Sequence, residues 1–277
     1  MTTVVGQTKN IALKARGRKS VSITAIDTPR VGLFVTCLVD TMRPRIGFAA
    51  IALLEATGCV VEIPERQTCC GQPALNSGDH GGTVAVAQQT IALLEEYDHV
   101  VIPSGSCAST IRVHYPELFP QGSLWHSRAV ALAGKTFELI SYLADIRHWT
   151  PDRVALAAQA TYHDSCSGLR DLGIKTQPRR LLARVEGLSI IEMDEAETCC
   201  GFGGTFCVKY PSISNAIVDE KASNVTASGA ALLLGGDLGC LMNMAGKLHR
   251  GGSPVRAFHA AEVLAGMADG PAIGEEA

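Results

Sequence analysis

Eight of the ten cysteines follow the same spacing in the two halves of the chain. This repeat constrains the fold more than any other feature. The first copy reads Cys37, Cys69-Cys70-Gly71 and Cys107, and the second reads Cys166, Cys199-Cys200-Gly201 and Cys240. The gap before the triplet is 31 residues in one copy and 32 in the other. Self-similarity of this kind predicts a duplicated chain with one set of four cysteines in each half.

Short apolar runs rich in β-branched residues come just before the cysteines. They are Val31–Val35, Val60–Ile63, Val100–Ile102, Ala158–Tyr162, Leu188–Met193 and Ala231–Leu234. Helical patterns such as Ile46–Thr57 and Thr83–Glu96 lie between them. Strands that alternate with helices predict an α/β fold with two duplicated βαβ, Rossmann-like halves and parallel sheets. Because such sheets bind ligands at the carboxyl ends of their strands, we expect each cysteine set to converge there.

The 277 residues are enough for two domains of ordinary size. We expect a flexible N-terminal tail over 1–29, a first domain over 30–150, a second over 151–268 and a C-terminal tail over 269–277. The net charge of −3 argues against a general nucleic-acid binder. No apolar run approaches the roughly 20 residues that span a bilayer, and the N-terminus lacks the apolar core of a secretion signal. We therefore expect reduced thiols in a cytoplasmic protein.

Eight repeated thiols at two strand-end sites predict metal or cluster binding. Soft thiolates select Zn²⁺, Cu(I) or iron–sulfur clusters. Two adjacent cysteines bind a single ion awkwardly but can reach two irons of a cluster, and short-spaced zinc motifs are absent. Two iron–sulfur clusters, most simply [4Fe–4S], are therefore predicted, with zinc in one half and buried unliganded cysteines as alternatives. Gly71 and Gly201 permit a tight turn with positive φ, whose backbone N–H groups can donate to the cluster.

Five longer stretches carry a resemblance to a known family. They are Gln67-Thr-Cys-Cys-Gly-Gln-Pro-Ala-Leu-Asn-Ser-Gly, Pro103-Ser-Gly-Ser-Cys-Ala, Tyr162-His-Asp-Ser-Cys-Ser-Gly-Leu-Arg, Thr198-Cys-Cys-Gly-Phe-Gly-Gly-Thr-Phe-Cys-Val-Lys-Tyr-Pro and Gly236-Asp-Leu-Gly-Cys-Leu-Met-Asn. From about residue 30 to 268 the chain resembles the cysteine-rich CCG domain family. Its members include the catalytic B subunit of heterodisulfide reductase and cluster subunits of glycolate and glycerol-3-phosphate oxidising systems.

Within that family the chain is most similar to members that serve lactate utilization. The resemblance implies an iron–sulfur electron-transfer subunit of a complex that oxidises L-lactate to pyruvate. The expected partner is a second iron–sulfur subunit with ferredoxin-type cysteine motifs, and membrane association would come only through partners. No flavin or nicotinamide fingerprint is present, which favours an accessory redox subunit over a catalyst. A thiol–disulfide redox enzyme acting at a cluster and a zinc-stabilised interaction module are the alternatives.

The chain departs from the family pattern at one position in each half. The full motif ends each repeat with Cys-x-x-Cys, but Ser104 and Asp237 stand at the first of those positions. Four cysteines per site fit a [4Fe–4S] cluster and argue against the noncubane chemistry of heterodisulfide reductase. Ligation through the oxygen of Ser104 or Asp237 would be rare. Cys207 follows the second triplet in a Gly-rich loop and is a candidate fifth ligand, whereas Cys59 is interpreted as a core residue.

Other polar residues near the cysteines have both a functional and a structural interpretation. His163 and Asp164 lie just before Cys166. They are expected to tune the cluster through hydrogen bonds or to relay protons, unless His163 is only a satisfied strand-end histidine. His259 at the start of the last helix is interpreted as structural. Arg179 and Arg180 are interpreted as a solvated helix face.

Overall fold

The computed structural model describes residues 28–275, which form two four-stranded sheets. The strands are β1 (Arg30–Leu33), β2 (Val60–Glu62), β3 (His99–Ile102), β4 (Thr136–Glu138), β5 (Ala155–His163), β6 (Glu186–Ile190), β7 (Leu232–Gly235) and β8 (Arg256–His259). Their orders are β2-β1-β3-β4 and β6-β5-β7-β8, and every pairing is parallel. This confirms the predicted α/β fold with duplicated Rossmann-like halves. The N-terminal tail predicted over 1–29 lies almost wholly outside the described residues.

Helices connect the strands, as the parallel order requires. They are α1 (Cys37–Met42), α2 (Pro44–Ala56), α3 (Gln72–Leu75), α4 (His80–Leu94), α5 (Gly105–Ser109), α6 (Tyr115–Glu117), α7 (Leu124–Gly134), α8 (Leu139–Ser141), α9 (Cys166–Arg170), α10 (Thr176–Leu182), α11 (Phe206–Lys209), α12 (Pro211–Ala227), α13 (Leu238–Arg250) and α14 (Ala260–Leu264). Turns of π-helix continue α5 and α8 over Thr110–His114 and Tyr142–Ile146. None of the helices in this part of the chain is long and apolar enough to cross a membrane.

The two halves share one apolar core. Leu54 and Tyr142 of the first half belong to the same buried cluster as Leu234 and Leu264 of the second. Full burial of one such side chain stabilises the fold by about 1.5–3 kcal/mol. Cys59 is buried in this cluster too, where its Sγ lies 3.7 Å from the hydroxyl of Tyr142. The sheets are therefore held at a fixed separation by packing that continues from one half to the other.

Two glycines let helices of opposite halves approach closely. A Cβ on Gly105 in α5 would lie 2.9 Å from Ser165 Oγ and 3.1 Å from Gly168 Cα. A Cβ on Gly168 in α9 would lie 3.9 Å from Gly105 Cα, and 2.7 Å from Ser165 Oγ of its own half. Because α5 carries Cys107 and α9 begins at Cys166, this crossing brings the two cysteine sets towards each other.

The segment after α14 also packs on the second half. Ile273 is buried, and its backbone N–H donates to the Ala257 carbonyl of β8 at 2.9 Å. Arg256 makes a two-pronged ion pair with Glu275, with N–O distances of 3.0 and 3.1 Å. The described part of the segment predicted as a C-terminal tail thus continues the edge of the second sheet.

Candidate metal centres

The fold brings the repeated cysteines to the carboxyl end of each sheet. In the first half, Cys37 begins the helix after β1, Cys69 and Cys70 lie between β2 and α3, and Cys107 lies on the helix after β3. The second half repeats the arrangement. Each triplet turns through its glycine in the left-handed region, at φ 84° for Gly71 and 79° for Gly201, as predicted.

One side chain in each half clamps the triplet turn. Tyr115 Oη donates to the Cys70 carbonyl at 2.8 Å, and Asn243 Nδ2 donates to the Cys200 carbonyl at 2.8 Å. Neither residue was predicted from the sequence to belong to the site. Asn243 closes a quoted stretch, three residues after Cys240, whereas Tyr115 has no such signal. Different residues thus fix the same backbone turn in the two copies.

The thiols of each half form a continuous row. In the first row, Cys37 hydrogen-bonds Cys69, Cys69 hydrogen-bonds Cys70, and Cys70 Sγ lies 3.3 Å from Cys107 Sγ. The second row has the same contacts in the same order, through Cys166, Cys199, Cys200 and Cys240. Cys37 is exposed, whereas Cys70, Cys200 and Cys240 are buried. The first row therefore reaches the surface at one end.

Contact between thiols sets their acidity. The hydrogen bond with Cys69, aided by burial, raises the pKa of the Cys37 thiol well above its usual range. The hydrogen bonds from Cys37 and Cys70 lower the pKa of Cys69 to about 2. In the second row, the hydrogen bond with Cys199 and burial raise the pKa of Cys166 in the same way. Neighbouring thiolates repel each other, so a full row of thiolates requires a bound cation to neutralise it.

The length of the first row matters for the kind of centre it can hold. Two thiolates on one tetrahedral ion lie about 3.8 Å apart when the metal–sulfur bonds are about 2.3 Å. Among the described residues, no three cysteines of the first row have sulfur atoms all within 4.8 Å of one another. That row is too extended for three of its thiolates to share one ion without rearrangement. Four thiolates can bind a centre with several metal atoms, one thiolate to each atom, once thiols now in contact, such as Cys70 and Cys107 at 3.3 Å, have moved apart.

The second row has an additional donor. One ring nitrogen of His163, Cys200 Sγ and Cys240 Sγ lie within 4.8 Å of one another, and all three residues are buried. Neither ring nitrogen of His163 has a hydrogen-bond partner in this part of the chain. Burial lowers the pKa of His163 to about 3, so the ring is neutral. The expectation that His163 is a satisfied strand-end histidine is therefore wrong.

Charged groups surround the second row more closely than the sequence indicates. Asp164 is buried and makes a two-pronged ion pair with Arg179 at 2.9 and 2.8 Å, and Arg179 also pairs with Glu192. Arg179 is therefore not on a solvated helix face as predicted, although Arg180 is exposed and pairs with Asp145. The carboxylates that hold Arg179 are distant in sequence, which is why its helix pattern did not reveal them.

Lys221 is a buried cation that the sequence reasoning missed. Its side chain is 1% exposed, and its ammonium donates to the Glu195 carbonyl near Cys200 and Cys240. Burial lowers its pKa, whereas the neighbouring acidic groups and thiolates oppose that shift. A lysine in a largely polar helix gives no sign of burial, so no sequence signal marks it.

Ser104 and Asp237, which stand at the family's fifth cysteine positions, contact each other across the two halves. Asp237 Oδ2 accepts hydrogen bonds from Ser104 Oγ at 3.1 Å and from the Ser106 N–H at 2.9 Å. Both side chains are buried. These oxygens satisfy each other's hydrogen bonds, so ligation by Ser104 or Asp237 has no support in this arrangement.

The two rows face a common cleft between the halves. The first row lines a cavity of about 200 Å³ and the second row one of about 130 Å³. Phe202 and Asp237 line both cavities. A Cβ on Gly239 would lie 2.6 Å from the Phe202 ring, so the absence of a side chain at Gly239 leaves room for this ring to line the cavities. Cys207 lines neither cavity, and its thiol lies 3.6 Å from the Gly204 carbonyl.

Comparison with known proteins agrees with this duplicated arrangement. The family model of the cysteine-rich domain, CCG, matches residues 31–112 and 160–245. The lactate utilization protein A of an Exiguobacterium species is 48% identical over 238 residues, which cover 85% of this chain and 97% of that protein. That of Bacillus pumilus is 46% identical, covering 85% and 98%. A solved aspartate racemase homologue from Pyrococcus horikoshii covers 85% of this chain and 95% of its own, but its TM-score of 0.32 and 10% identity carry no argument.

Proposed function

Because the chain belongs to the cysteine-rich CCG domain family, we propose that it is an iron–sulfur electron-transfer subunit of a complex that oxidises L-lactate to pyruvate. The observation that carries the proposal is the pair of equivalent four-thiol rows at matching strand ends. The relatives named lactate utilization protein A, which align over nearly their whole length, support the choice of substrate.

Two [4Fe–4S] clusters are the proposed cofactors, one held by each row. When bound, such a cluster stores and passes one electron at a potential set by its ligands, nearby hydrogen bonds and burial. The chain's own backbone contributes to this setting, since the Gly201 N–H donates to Cys199 Sγ at 3.3 Å. Cys37, Cys69, Cys70 and Cys107 would hold one cluster, and Cys166, Cys199, Cys200 and Cys240 the other.

The number of centres suits the proposed reaction. Conversion of L-lactate to pyruvate releases two electrons and two protons, and two one-electron centres in one molecule match that count. Breaking the α C–H bond requires a base and an electron-pair acceptor, which we assign to a second iron–sulfur subunit or its associated cofactor. The exposed Cys37 end of the first row is where electrons would enter or leave. The ten free thiols favour a reducing compartment such as the cytoplasm.

A second candidate has one observation in its favour. The spacing of His163, Cys200 and Cys240 would also suit a single zinc ion in the second half. In that case the chain would carry one cluster and a structural ion, and only the first row would take part in electron transfer. Thiol–disulfide chemistry of the heterodisulfide reductase kind gains no such support, because Ser104 and Asp237 occupy the fifth cysteine positions.

The proposed function is tested with the native complex. The chain should co-purify anaerobically with a second iron–sulfur subunit, and the complex should reduce a dye when L-lactate is added. The isolated chain should give no lactate-dependent dye reduction, although its clusters should accept electrons from dithionite. Robust turnover of lactate by this chain alone would overturn the relay role. Failure of the native complex to reduce its clusters with lactate would overturn the choice of substrate.

A further inference from the structure

The second centre differs from the first at the residue that ends the leading strand. His163 ends β5 and stands three residues before Cys166, whereas Phe34 follows β1 and stands three residues before Cys37. Each position lies beside the strand that precedes the helix with the last cysteine: His163 pairs with Gly235 of β7, and the Phe34 N–H donates to the Val101 carbonyl of β3 at 3.0 Å. The duplication therefore places an imidazole in one site where the other has a phenyl ring.

Burial of the His163 imidazole destabilises the fold unless its ring nitrogens have a hydrogen-bond partner or bind a metal. His163 is 1% exposed and both its ring nitrogens are without a partner among the described residues, while Phe34 at 1% exposure needs none. Leaving a buried polar group without a hydrogen-bond partner destabilises the fold, and native proteins rarely tolerate it without a bound water or ion. Asp164 next to it does not help, since its carboxylate is held by Arg179.

The geometry favours a metal atom as the missing partner. Cys200 and Cys240 contact each other, and a His163 ring nitrogen lies within 4.8 Å of both sulfurs without forming a hydrogen bond to either. A nitrogen at about 2.0–2.1 Å and sulfurs at about 2.3 Å from a shared metal would be spaced in this way. A neutral imidazole is the form that binds metals.

We propose that the His163 imidazole binds an iron atom of the cluster in the second half. This rests on the proposed function, since it assumes that the second row holds an iron–sulfur cluster. The two centres are then chemically distinct: the first has thiolate ligands only, and in the second one iron has the imidazole nitrogen as a donor in addition to its thiolate. The ligands of a cluster help to set its potential, so an additional nitrogen donor gives the chain a means to separate its two potentials.

The test is a search for nitrogen bound to the reduced cluster. The full chain is prepared anaerobically with ¹⁵N-labelled histidine, and pulsed EPR of the dithionite-reduced protein measures the coupling of ¹⁵N to the cluster. A strong coupling from a directly bound nitrogen is expected. It should vanish in His163→Phe, which installs the residue of the first half, and persist in His114→Phe. His114 is the matched control, because it lines the second cavity but lies 3.3 Å from Glu117 through its Nδ1.

A second measurement does not depend on spectroscopy. In His163→Phe, one of the two clusters should lose iron to a chelator at least tenfold faster than in the wild type. His163→Cys should restore the wild-type rate but should not show the nitrogen coupling. A wild-type protein with both clusters and no strong ¹⁵N coupling would overturn this inference and leave the proposed function intact. A protein with zinc in the second half, or with no iron and sulfide, would overturn the two-cluster proposal and the inference with it.

Discussion

At the scale of single residues, the two halves contain equivalent thiols, but the side chains around those thiols differ. Phe34 in the first half corresponds to His163 in the second, and Lys221 adds a buried cation near the second row. A nearby positive charge favours the reduced, more negative state of a cluster. We therefore expect the second centre to be the more easily reduced of the two.

Glu138 is a buried carboxyl group whose ionisation we expect to affect stability. It is 3% exposed, its Oε2 accepts the Ser141 N–H at 2.8 Å, and its Oε1 has no partner among the described residues. Burial raises its pKa to about 7 from the usual value of 4.5. The carboxylate of Asp237 adds to the shift, and Tyr162 is the other titratable group that faces it.

The sign of the pH effect follows from these two values. Between pH 4.5 and 7 the folded chain keeps the Glu138 proton that the unfolded chain has lost, so stability falls as the pH rises through that window. The loss amounts to about 3 kcal/mol in total. Glu138→Gln should abolish it, as seen in a flatter dependence of the anaerobic melting temperature on pH. Glu117→Gln, at an exposed position, should keep the wild-type profile.

At the scale of elements, the crossing of α5 and α9 is the most sensitive contact near the site. Gly105→Val would place a side chain against Ser165 Oγ and Gly168 Cα, which lie 2.9 and 3.1 Å from a Cβ at that position. We expect a loss of about 1–3 kcal/mol in stability from overpacking, with a lower iron content because each helix carries a cysteine of the proposed ligand sets. Gly134→Val is the control, since nothing lies within 4 Å of its Cβ. Equal melting temperatures and iron contents in the two variants would contradict this account.

Short apolar runs revealed six of the eight strands in the described part of the chain, including the edge strands β2 and β6. The central strands β1, β3, β5 and β7 contain short apolar runs, and their ends predicted where the cysteines meet. The fourth strands were missed, although the similarity of Lys135-Thr-Phe-Glu to Arg256-Ala-Phe-His was visible. Each is three or four residues long and includes charged or polar side chains, so only pairing with β3 or β7 makes it a strand.

Contacts between the halves had no sequence signal at all. The Ser104–Asp237 hydrogen bond and the burial of Lys221 depend on how elements distant in sequence pack together. The sequence could therefore predict the thiols of each site and the fold that gathers them. It could not predict that the two sites face one cleft, or that His163 lacks a partner.

At the scale of the whole molecule, a buried ion pair stabilises the contact between the two halves. Arg43 Nε, between α1 and α2, lies 3.0 and 3.2 Å from the two carboxylate oxygens of Glu262 on α14, and Glu262 is fully buried. Arg43→Leu would leave that carboxylate unpaired, and we expect a loss of about 3–5 kcal/mol in stability. Arg30→Leu, which removes an exposed pair with Glu62, should change the melting temperature little. The same melting temperature for both variants would argue against the ion pair as a fastening between halves.

The central claim is that each half of the molecule holds its own iron–sulfur cluster, and metal analysis of three variants tests it most directly. Iron, acid-labile sulfide and zinc are measured in anaerobically purified wild type, Cys70→Ser, Cys200→Ser and the core control Cys59→Ala. Two [4Fe–4S] clusters predict about eight irons and eight sulfides per chain in wild type and Cys59→Ala, and about half of each in either serine variant. Stoichiometric zinc without iron or sulfide, or loss of all iron from a single serine substitution, would contradict the claim.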